Sequence, residues 1–158
     1  MKRNSLLILV IGLIGLFSFT GLSYASGKDE AKALVKRAAA YVKHQGKGKA
    51  LAEISKPKGT FDKGELYVFA YDLQGVIVAH PKNPELIGKN MIDVPDTEGK
   101  LFRREIVEKA KKKGSGWVDY LYLNPETKEM EHKTTYLLRV DDIILCCGAY
   151  REYSHEGD

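Results

Sequence analysis

The C-terminal part of the chain holds three β-prone segments joined by very short turns, and this pattern constrains the fold most. The segments are Gly116–Leu123, Met130–Val140 and Ile143–Tyr150. The connections between them are Asn124-Pro125-Glu126-Thr127 and then Asp141-Asp142. Such short connections join antiparallel neighbours, because a parallel pair needs a crossover of roughly a dozen residues or more. The pattern therefore predicts an antiparallel sheet at the end of the fold.

The upstream part of the chain alternates between helical and strand patterns. The predicted elements are a long helix from Asp29 that breaks at Gly46, strands at Leu66–Tyr71 and Gly75–His80, and a helix at Lys100–Lys113. Between the last two lies the proline-containing segment Pro81–Gly99, and loops of this length inside a compact domain are usually functional. The predicted class is α+β, with about five antiparallel strands, a long N-terminal helix and a helix in the connecting segment.

The first 25 residues have the pattern of a secretory signal peptide. Two basic residues precede an apolar run from Leu6 to Phe19, and Ser23 and Ala25 are the small residues of a cleavage site. We expect cleavage after Ala25, leaving one mature domain of residues 26–158 in the periplasm or outside the cell. The alternative is an uncleaved membrane anchor, because the apolar run, extended to Leu22, approaches the ~20 residues of a spanning helix.

Charge and motifs exclude several classes of function. The chain has 25 Lys+Arg against 21 Asp+Glu, a formal net charge of +4 that falls further when Lys2 and Arg3 leave with the signal peptide. Such a balance offers no basic stripe for nucleic acid. No nucleophile elbow, phosphate loop or zinc-protease motif is present, so we expect neither an enzyme nor a cofactor. His80 has no second ligand at suitable spacing, so no metal is expected.

A set of short motifs spans nearly the whole predicted mature chain. They are Tyr67-Val68-Phe69-Ala70-Tyr71-Asp72, Ala79-His80-Pro81, Leu86-Ile87-Gly88-Lys89-Asn90, Gly114-Ser115-Gly116-Trp117-Val118-Asp119-Tyr120, Asn124-Pro125-Glu126-Thr127, Lys133-Thr134-Thr135-Tyr136 and Gly148-Ala149-Tyr150. Together they resemble the single Cache domain, type 2, over about residues 30–151. The resemblance implies a PAS-like sheet behind a long N-terminal helix. It also implies a sensor domain outside the cytoplasmic membrane that binds small molecules, often short carboxylates.

The resemblance sets the functional expectation: a periplasmic domain that binds a small organic anion. Because polar residues 151–158 follow the last strand, we expect it to act on a separate partner, namely a membrane receptor, a histidine kinase or a transporter. Two alternatives stay open, an interaction module with a degenerate pocket and a thiol-redox protein. The second would use Cys146 or Cys147, but adjacent strand positions face opposite sides, which predicts two free buried thiols.

Arg103 is the most informative candidate residue. On a helical wheel it falls within the predicted buried arc formed by Phe102, Ile106, Val107 and Ala110. A buried guanidinium stays charged, so it needs an anion or strong acceptors. The functional hypothesis is a fork for a ligand carboxylate. The alternatives are a snorkelling side chain or an internal ion pair with Asp93, Asp96 or Asp119.

Six further residues complete the predicted ligand site: Tyr67, His80, Trp117, Tyr120, Lys133 and Tyr136. The aromatic side chains would enclose the carbon skeleton of the ligand and supply hydroxyl groups, although core packing explains most such rings. His80 is interpreted either as a hydrogen-bonding pocket residue or as the plain end of a strand. Lys133 either pairs with an anion or is a solvated lysine of an edge strand.

Overall fold

The computed structural model describes residues 27–151, which excludes the predicted signal peptide and residues 152–158. The described elements are α1 (Gly27–Gln45), α2 (Lys47–Ile54), β1 (Asp62–Lys63), β2 (Leu66–Asp72), β3 (Ile77–Ala79), a short 3-10 turn (Pro84–Leu86), α3 (Phe102–Lys113), β4 (Ser115–Leu123), β5 (Met130–Val140) and β6 (Ile143–Tyr150). Among them, no helix is both long enough and apolar enough to cross a bilayer.

The long N-terminal helix forms because small and aliphatic residues recur every three or four positions along one face. The buried residues of α1 include Ala31, Leu34, Val35 and Ala38. The predicted break occurs at Gly46, whose φ of 84° is a left-handed conformation that glycine adopts without strain. The chain then continues as α2, so the prediction of an interrupted helix is confirmed.

The strands form an antiparallel sheet in the order β1-β2-β6-β5-β4, and β3 also pairs with β2. The predicted α+β class and antiparallel pairing are confirmed. The sheet has six strands rather than about five, because β1 contributes a two-residue pairing with Leu66 and Tyr67 that is too short to leave a sequence pattern. Strand β5 lies between β6 and β4, so it is a central strand.

Helices cover both faces of the sheet. Helices α1 and α2 pack on one face, against residues such as Val68, Leu145 and Cys147. Helix α3 packs on the other face, against residues such as Phe69, Leu137 and Ile144. We call this second surface the lid face, because the segment between β3 and α3, residues 80–101, also covers it.

Backbone hydrogen bonds and one carboxylate hold residues 80–101 in place. Ile77 of β3 donates to the carbonyl oxygen of Lys89 at 3.0 Å. The Asp96 carboxylate accepts from two amides of its own loop and from the amide of Leu121 in β4, at 3.1 Å. Burial opposes ionisation of Asp96, but these three donors outweigh it and hold its pKa below the ordinary value. The 80–101 segment is therefore held in place against the lid face of the sheet.

Candidate ligand-binding site on the lid face

An open cleft of about 610 Å³ lies between the 80–101 segment, helix α3 and the β4–β5 hairpin. We call it the outer cleft. Its walls include Arg103 and Phe102 of α3, Val94 to Thr97 of the segment, Tyr67 of β2, Leu121 to Leu123 of β4, and Met130 of β5. Its size falls within the roughly 300–1,000 Å³ of typical small-molecule sites.

Behind the outer cleft lies a much smaller space, which we call the inner chamber. It measures about 10 Å³, which is at the lower limit for one water molecule. Tyr67, Phe102 and Tyr122 belong to the walls of both spaces. The Phe102 ring stacks on that of Tyr120, with centroids 3.8 Å apart and planes 6° apart. Aromatic packing therefore fills the interior and separates the inner chamber from the cleft.

Arg103 lies in the wall of the outer cleft and is only 5% exposed, as its place in the apolar arc predicted. One terminal nitrogen donates to the carbonyl oxygen of Val94 at 3.0 Å, and the guanidinium carbon lies 4.2 Å from the centroid of the Phe102 ring. The Nε–H group is buried and has no hydrogen-bond partner. Arg103 thus keeps unused donor capacity beside the cleft.

The internal ion pairs considered for Arg103 are not formed. Asp93 pairs with Arg104, the exposed neighbour of Arg103. Asp119 accepts from Thr134 and Arg151, and Asp96 accepts the three backbone amides described above. The three aspartates therefore engage other groups.

Lys133 is the second buried cation, and it is 1% exposed. Its Nζ donates to the hydroxyl oxygens of Tyr67 at 2.9 Å and Tyr150 at 3.0 Å. It also lies 4.1 Å from the centroid of the Tyr67 ring and 4.4 Å from that of Tyr150. Burial lowers the pKa of Lys133 from its ordinary value of 10.5 to about 7. The alternative of a solvated edge lysine is wrong, because β5 is central and the side chain is enclosed.

A glycine on the neighbouring strand makes room for this lysine. A Cβ atom at position 148 would lie 2.7 Å from Cγ of Lys133, well inside normal contact distance. Gly148 faces the same side of the sheet as Lys133, since Thr135 is its direct cross-strand partner. The absence of a side chain at Gly148 therefore allows Lys133 to lie flat across β6.

His80 is buried between two aromatic rings and is neutral. Its ring centroid lies 5.4 Å from that of Tyr67 and 5.6 Å from that of Phe69. Nδ1 accepts from the amides of Lys82 and Asn83, so the proton of the neutral imidazole is on Nε2. Burial, followed by the charges of Lys133 and Arg103, lowers the pKa of His80 to about 3. The positive charges of both buried cations therefore disfavour protonation of the His80 ring.

The structure brings five of the seven predicted site residues to the lid face. Arg103 and Tyr67 line the outer cleft, and Tyr67, His80, Tyr120 and Lys133 line the inner chamber. The hydroxyl of Tyr120 also forms a 2.8 Å hydrogen bond with that of Thr135.

Trp117 and Tyr136 lie on the opposite face. Their ring centroids are 5.1 Å apart, and Lys28 and Lys32 of α1 lie over them. The structure corrects the expectation that these two rings enclose the same space as Tyr67 and Tyr120. The physical reason is strand alternation, because Trp117 is three positions from Tyr120, and Tyr136 is three positions from Lys133, so the members of each pair face opposite sides.

Five lid-face aromatic residues were absent from the predicted site: Phe69, Tyr71, Phe102, Tyr122 and Tyr150. Tyr150 could have been found from the hairpin between β5 and β6. Its two-residue turn aligns Val140 with Ile143, and this register places Tyr150 opposite Lys133. Phe102 could have been found from its place in the buried arc of α3, beside Arg103. Strand alternation places Tyr122 on the face of Tyr120, and Phe69 and Tyr71 on the face of Tyr67.

Both cysteines are buried and free. Cys146 packs in the core of the lid face, whereas Cys147 packs against the α1 side. The prediction of two free thiols that face opposite sides of the sheet is confirmed. Burial raises the pKa of Cys147 to about 12 and also raises that of Cys146.

Comparison with known proteins places this geometry in a family. Residues 13–152 match the family model described as Single Cache domain 2. Among curated proteins, the sensor histidine kinase MctS of Rhizobium johnstonii is 29% identical over 75 residues. That match covers 48% of this chain and 16% of the kinase, so the chain corresponds to a small part of that protein.

Solved structures with the same fold are sensory domains. A methyl-accepting chemotaxis protein from Vibrio parahaemolyticus is 25% identical, with a TM-score of 0.68, and the match covers 78% of this chain and 87% of that one. A Cache chemosensory domain described for its carboxylic acid recognition is 27% identical, with a TM-score of 0.61 and the same two coverages. The predicted PAS-like sensor fold is therefore confirmed.

Proposed function

Because this chain belongs to the single Cache domain 2 family, whose members are extracytoplasmic sensor domains, we propose that it binds a small organic anion in the outer cleft. The anion is a carboxylate, and the domain presents its bound state to a separate partner, such as a membrane receptor, a histidine kinase or a transporter. One observation carries the proposal. Among residues 27–151, neither buried cation of the lid face, Arg103 or Lys133, forms an ion pair with a carboxylate.

Two buried positive charges without an anionic partner are costly. Removing a cation from water costs several kcal/mol unless an opposite charge and hydrogen bonds offset the loss. Lys133 can lower this cost by losing its proton, but the arginine guanidinium stays charged. An anion that enters the cleft would offset the cost at Arg103. The uncompensated charge therefore favours anions over neutral ligands.

The geometry around Arg103 suits a carboxylate in particular. The guanidinium lies in the wall of the cleft without an ion-pair partner, and a carboxylate can accept from two N–H groups of a guanidinium in parallel. Other polar groups lie nearby, since Asn83 donates to the hydroxyl of Tyr122 at 3.3 Å and both residues line the cleft. The likeness to a Cache domain described for carboxylic acid recognition supports the same ligand class.

Calorimetric titration of the purified domain with a panel of carboxylates and their neutral amides tests the proposal. We expect carboxylates to bind and amides to bind far more weakly. Arg103→Gln removes the charge while retaining part of the side chain, and it should weaken binding by about 30-fold or more, since losing one partner of a buried charged contact costs about 2–5 kcal/mol. Arg104→Gln, which changes the exposed neighbouring arginine, is the matched control and should bind normally.

Two results would contradict the proposal. One is that no carboxylate binds to folded wild-type protein. The other is that folded Arg103→Gln binds the best carboxylate as tightly as wild type does, because Arg103 would then be only a structural residue. Circular dichroism and thermal unfolding of each variant establish that a loss of binding is not a loss of fold.

The signal peptide stays a proposal, since residues 1–25 lie outside the described structure. We propose that export and cleavage after Ala25 deliver the domain to the periplasm. Intact mass of the protein from the periplasmic fraction tests this, and the expected N-terminal residue is Ser26. Full-length protein recovered from the membrane fraction would instead support the uncleaved anchor.

A further inference from the structure

We infer that the outer cleft prefers carboxylates with an extended apolar body, such as hexanoate or octanoate, to acetate and propionate. This inference rests on the proposed function, because it names the class of anion that the same cleft binds. It starts from three properties of the cleft: its volume, the chemistry of its rim and the position of Arg103, the buried cation that forms no ion pair.

The volume is too large for a very short acid. A cleft of about 610 Å³ lies within the roughly 300–1,000 Å³ of sites that enclose drug-sized ligands, and it holds many water molecules. Acetate or propionate bound at Arg103 would displace only a few of them and would leave most of the wall wet. A longer acid displaces more water and covers more apolar wall, which is the main source of affinity for such ligands.

Part of the rim of the cleft is apolar and exposed. Five large hydrophobic residues are exposed in the described part of the chain, and three of them line this cleft. These three are Val94 at 42%, Leu123 at 50% and Met130 at 44% exposure. Leu123 and Met130 are direct cross-strand partners at the end of the β4–β5 hairpin, so they form one continuous surface. Grouped exposed apolar residues of this kind mark binding sites.

The charges fix the orientation of the ligand. Arg103, with its unpartnered Nε–H, is almost fully buried, whereas Leu123 and Met130 are about half exposed at the rim. Two other cations line the cleft. Lys82 forms an ion pair with Asp62 at 2.8 Å, and Lys128 donates to the carbonyl oxygen of Pro125. A carboxylate headgroup therefore enters first and meets Arg103, and its apolar body lies against the rim. This arrangement fits an amphiphilic monocarboxylate.

A homologous series of ligands measures the preference. Calorimetric titration with acetate, propionate, butyrate, hexanoate and octanoate should show affinity rising with chain length. Burial of one methylene group corresponds to about fourfold tighter binding, so the rise should approach that factor for each added carbon. 1-Hexanol and hexylamine have the same apolar body without the carboxylate, and we expect neither to bind measurably.

Variants at the rim measure the contribution of apolar contacts to affinity separately from the contribution of the charge on Arg103. Leu123→Ser and Met130→Ser should flatten the dependence on chain length, because they should weaken octanoate binding far more than acetate binding. Ile87→Ser is the matched control, because Ile87 is also an exposed apolar residue, at 40%, but lies outside the cleft. It should keep the full chain-length dependence. All three side chains are substantially exposed, so the variants should remain folded.

The outcomes distinguish this inference from the proposed function. If acetate and propionate bind as tightly as octanoate, the cleft binds anions without using its apolar rim, and only the inference is wrong. If no acid binds, the proposed function fails as well. If sedimentation shows a wild-type dimer that Leu123→Ser converts to a monomer, the rim is an interface between copies, and the inference is also overturned.

Discussion

Gly148 leaves open the space on the lid face of the sheet that the side chain of Lys133 occupies: a Cβ atom on residue 148 would lie 2.7 Å from Cγ of the lysine. It would also collide with Oγ1 of Thr135, the hydroxyl that hydrogen-bonds to Tyr120. The enclosure of Lys133 by Tyr67 and Tyr150 therefore depends on a missing side chain two residues away from Tyr150. Substitution of this glycine is a direct test of that packing.

We expect Gly148→Ala to reduce the free energy of unfolding by about 1–3 kcal/mol, because an added methyl group overfills a packed core. Chemical denaturation measures this change. Gly48→Ala is the matched control, because Gly48 lies within α2 and a Cβ atom there would meet nothing within 4 Å. Alanine there should stabilise the protein by about 0.5–1 kcal/mol, through helix propensity. Equal effects at both glycines would contradict the packing described for Lys133.

The stability of the protein should depend on pH through Lys133. Burial lowers its pKa to about 7 in the folded protein, whereas the unfolded chain has the ordinary value of 10.5. Between these values the unfolded state binds more protons, so the stability contributed by this residue rises with pH. From pH 7 to pH 9, the free energy of unfolding of wild type should increase by about 2 kcal/mol relative to that of Lys133→Met.

Lys133→Met provides the reference for this measurement, since methionine fills a similar volume without a titrating group. Denaturant unfolding at several pH values in this window gives the difference between the two proteins. His80, the buried neighbour with a lowered pKa, is neutral in both states above pH 7 and does not contribute. Parallel pH profiles of the two proteins would show that Lys133 keeps its ordinary pKa.

A second pH effect should come from His80 on the acid side. Burial, with the charges of Lys133 and Arg103, lowers its pKa from 6.5 to about 3. The unfolded state therefore binds more protons below pH 6.5, and stability falls as the pH decreases toward 3. At pH 5 the loss from this residue should be about 2 kcal/mol.

His80→Asn is the variant that isolates this effect. Its side-chain oxygen can still accept the amide hydrogen bonds of Lys82 and Asn83, but it does not titrate. We expect a lower stability at neutral pH, because the smaller side chain leaves space between Tyr67 and Phe69, together with a shallower loss in acid. An acid profile as steep as that of wild type would assign the loss to other groups.

The cysteines should be unreactive in the folded protein. Both thiols are buried, and burial raises the pKa of each, so little thiolate forms at neutral pH. Iodoacetamide should add no label to native protein and two labels to each chain after denaturation without reductant. A chain lighter by two hydrogens that accepts no label would show a disulfide between Cys146 and Cys147, and the thiol-redox alternative would be reopened.

Local patterns were sufficient for much of the architecture. The strands of the C-terminal hairpins follow from β-prone residues and short turns, and the burial of Arg103 follows from its place on a helical wheel. The orientation of Trp117 and Tyr136 toward the opposite face could also have been predicted, because side chains alternate between the two faces along each strand. These features depend on residues that are close in sequence.

The site itself depends on contacts between distant residues. The hydrogen bond from Lys133 to Tyr67 joins residues that are 66 positions apart. Their strands, β5 and β2, lie on either side of β6, and no local pattern specifies this order. The lack of an ion pair at Arg103 depends on Asp93, Asp96 and Asp119 each binding other groups. The outer cleft requires the path of residues 80–101, which is set by hydrogen bonds to β3 and β4.

The gap at Gly148 also supports the register of the last hairpin, in addition to its two-residue turn. A slip of two residues between β5 and β6 would keep every side chain on its own face, so alternation alone cannot prevent it. In the native register Thr135 is opposite Gly148, and Lys133 crosses the glycine diagonally. A slip in either direction would place Cys146 or Tyr150 where the lysine needs the gap. The absence of one side chain therefore favours the native register over the two registers that differ from it by two residues.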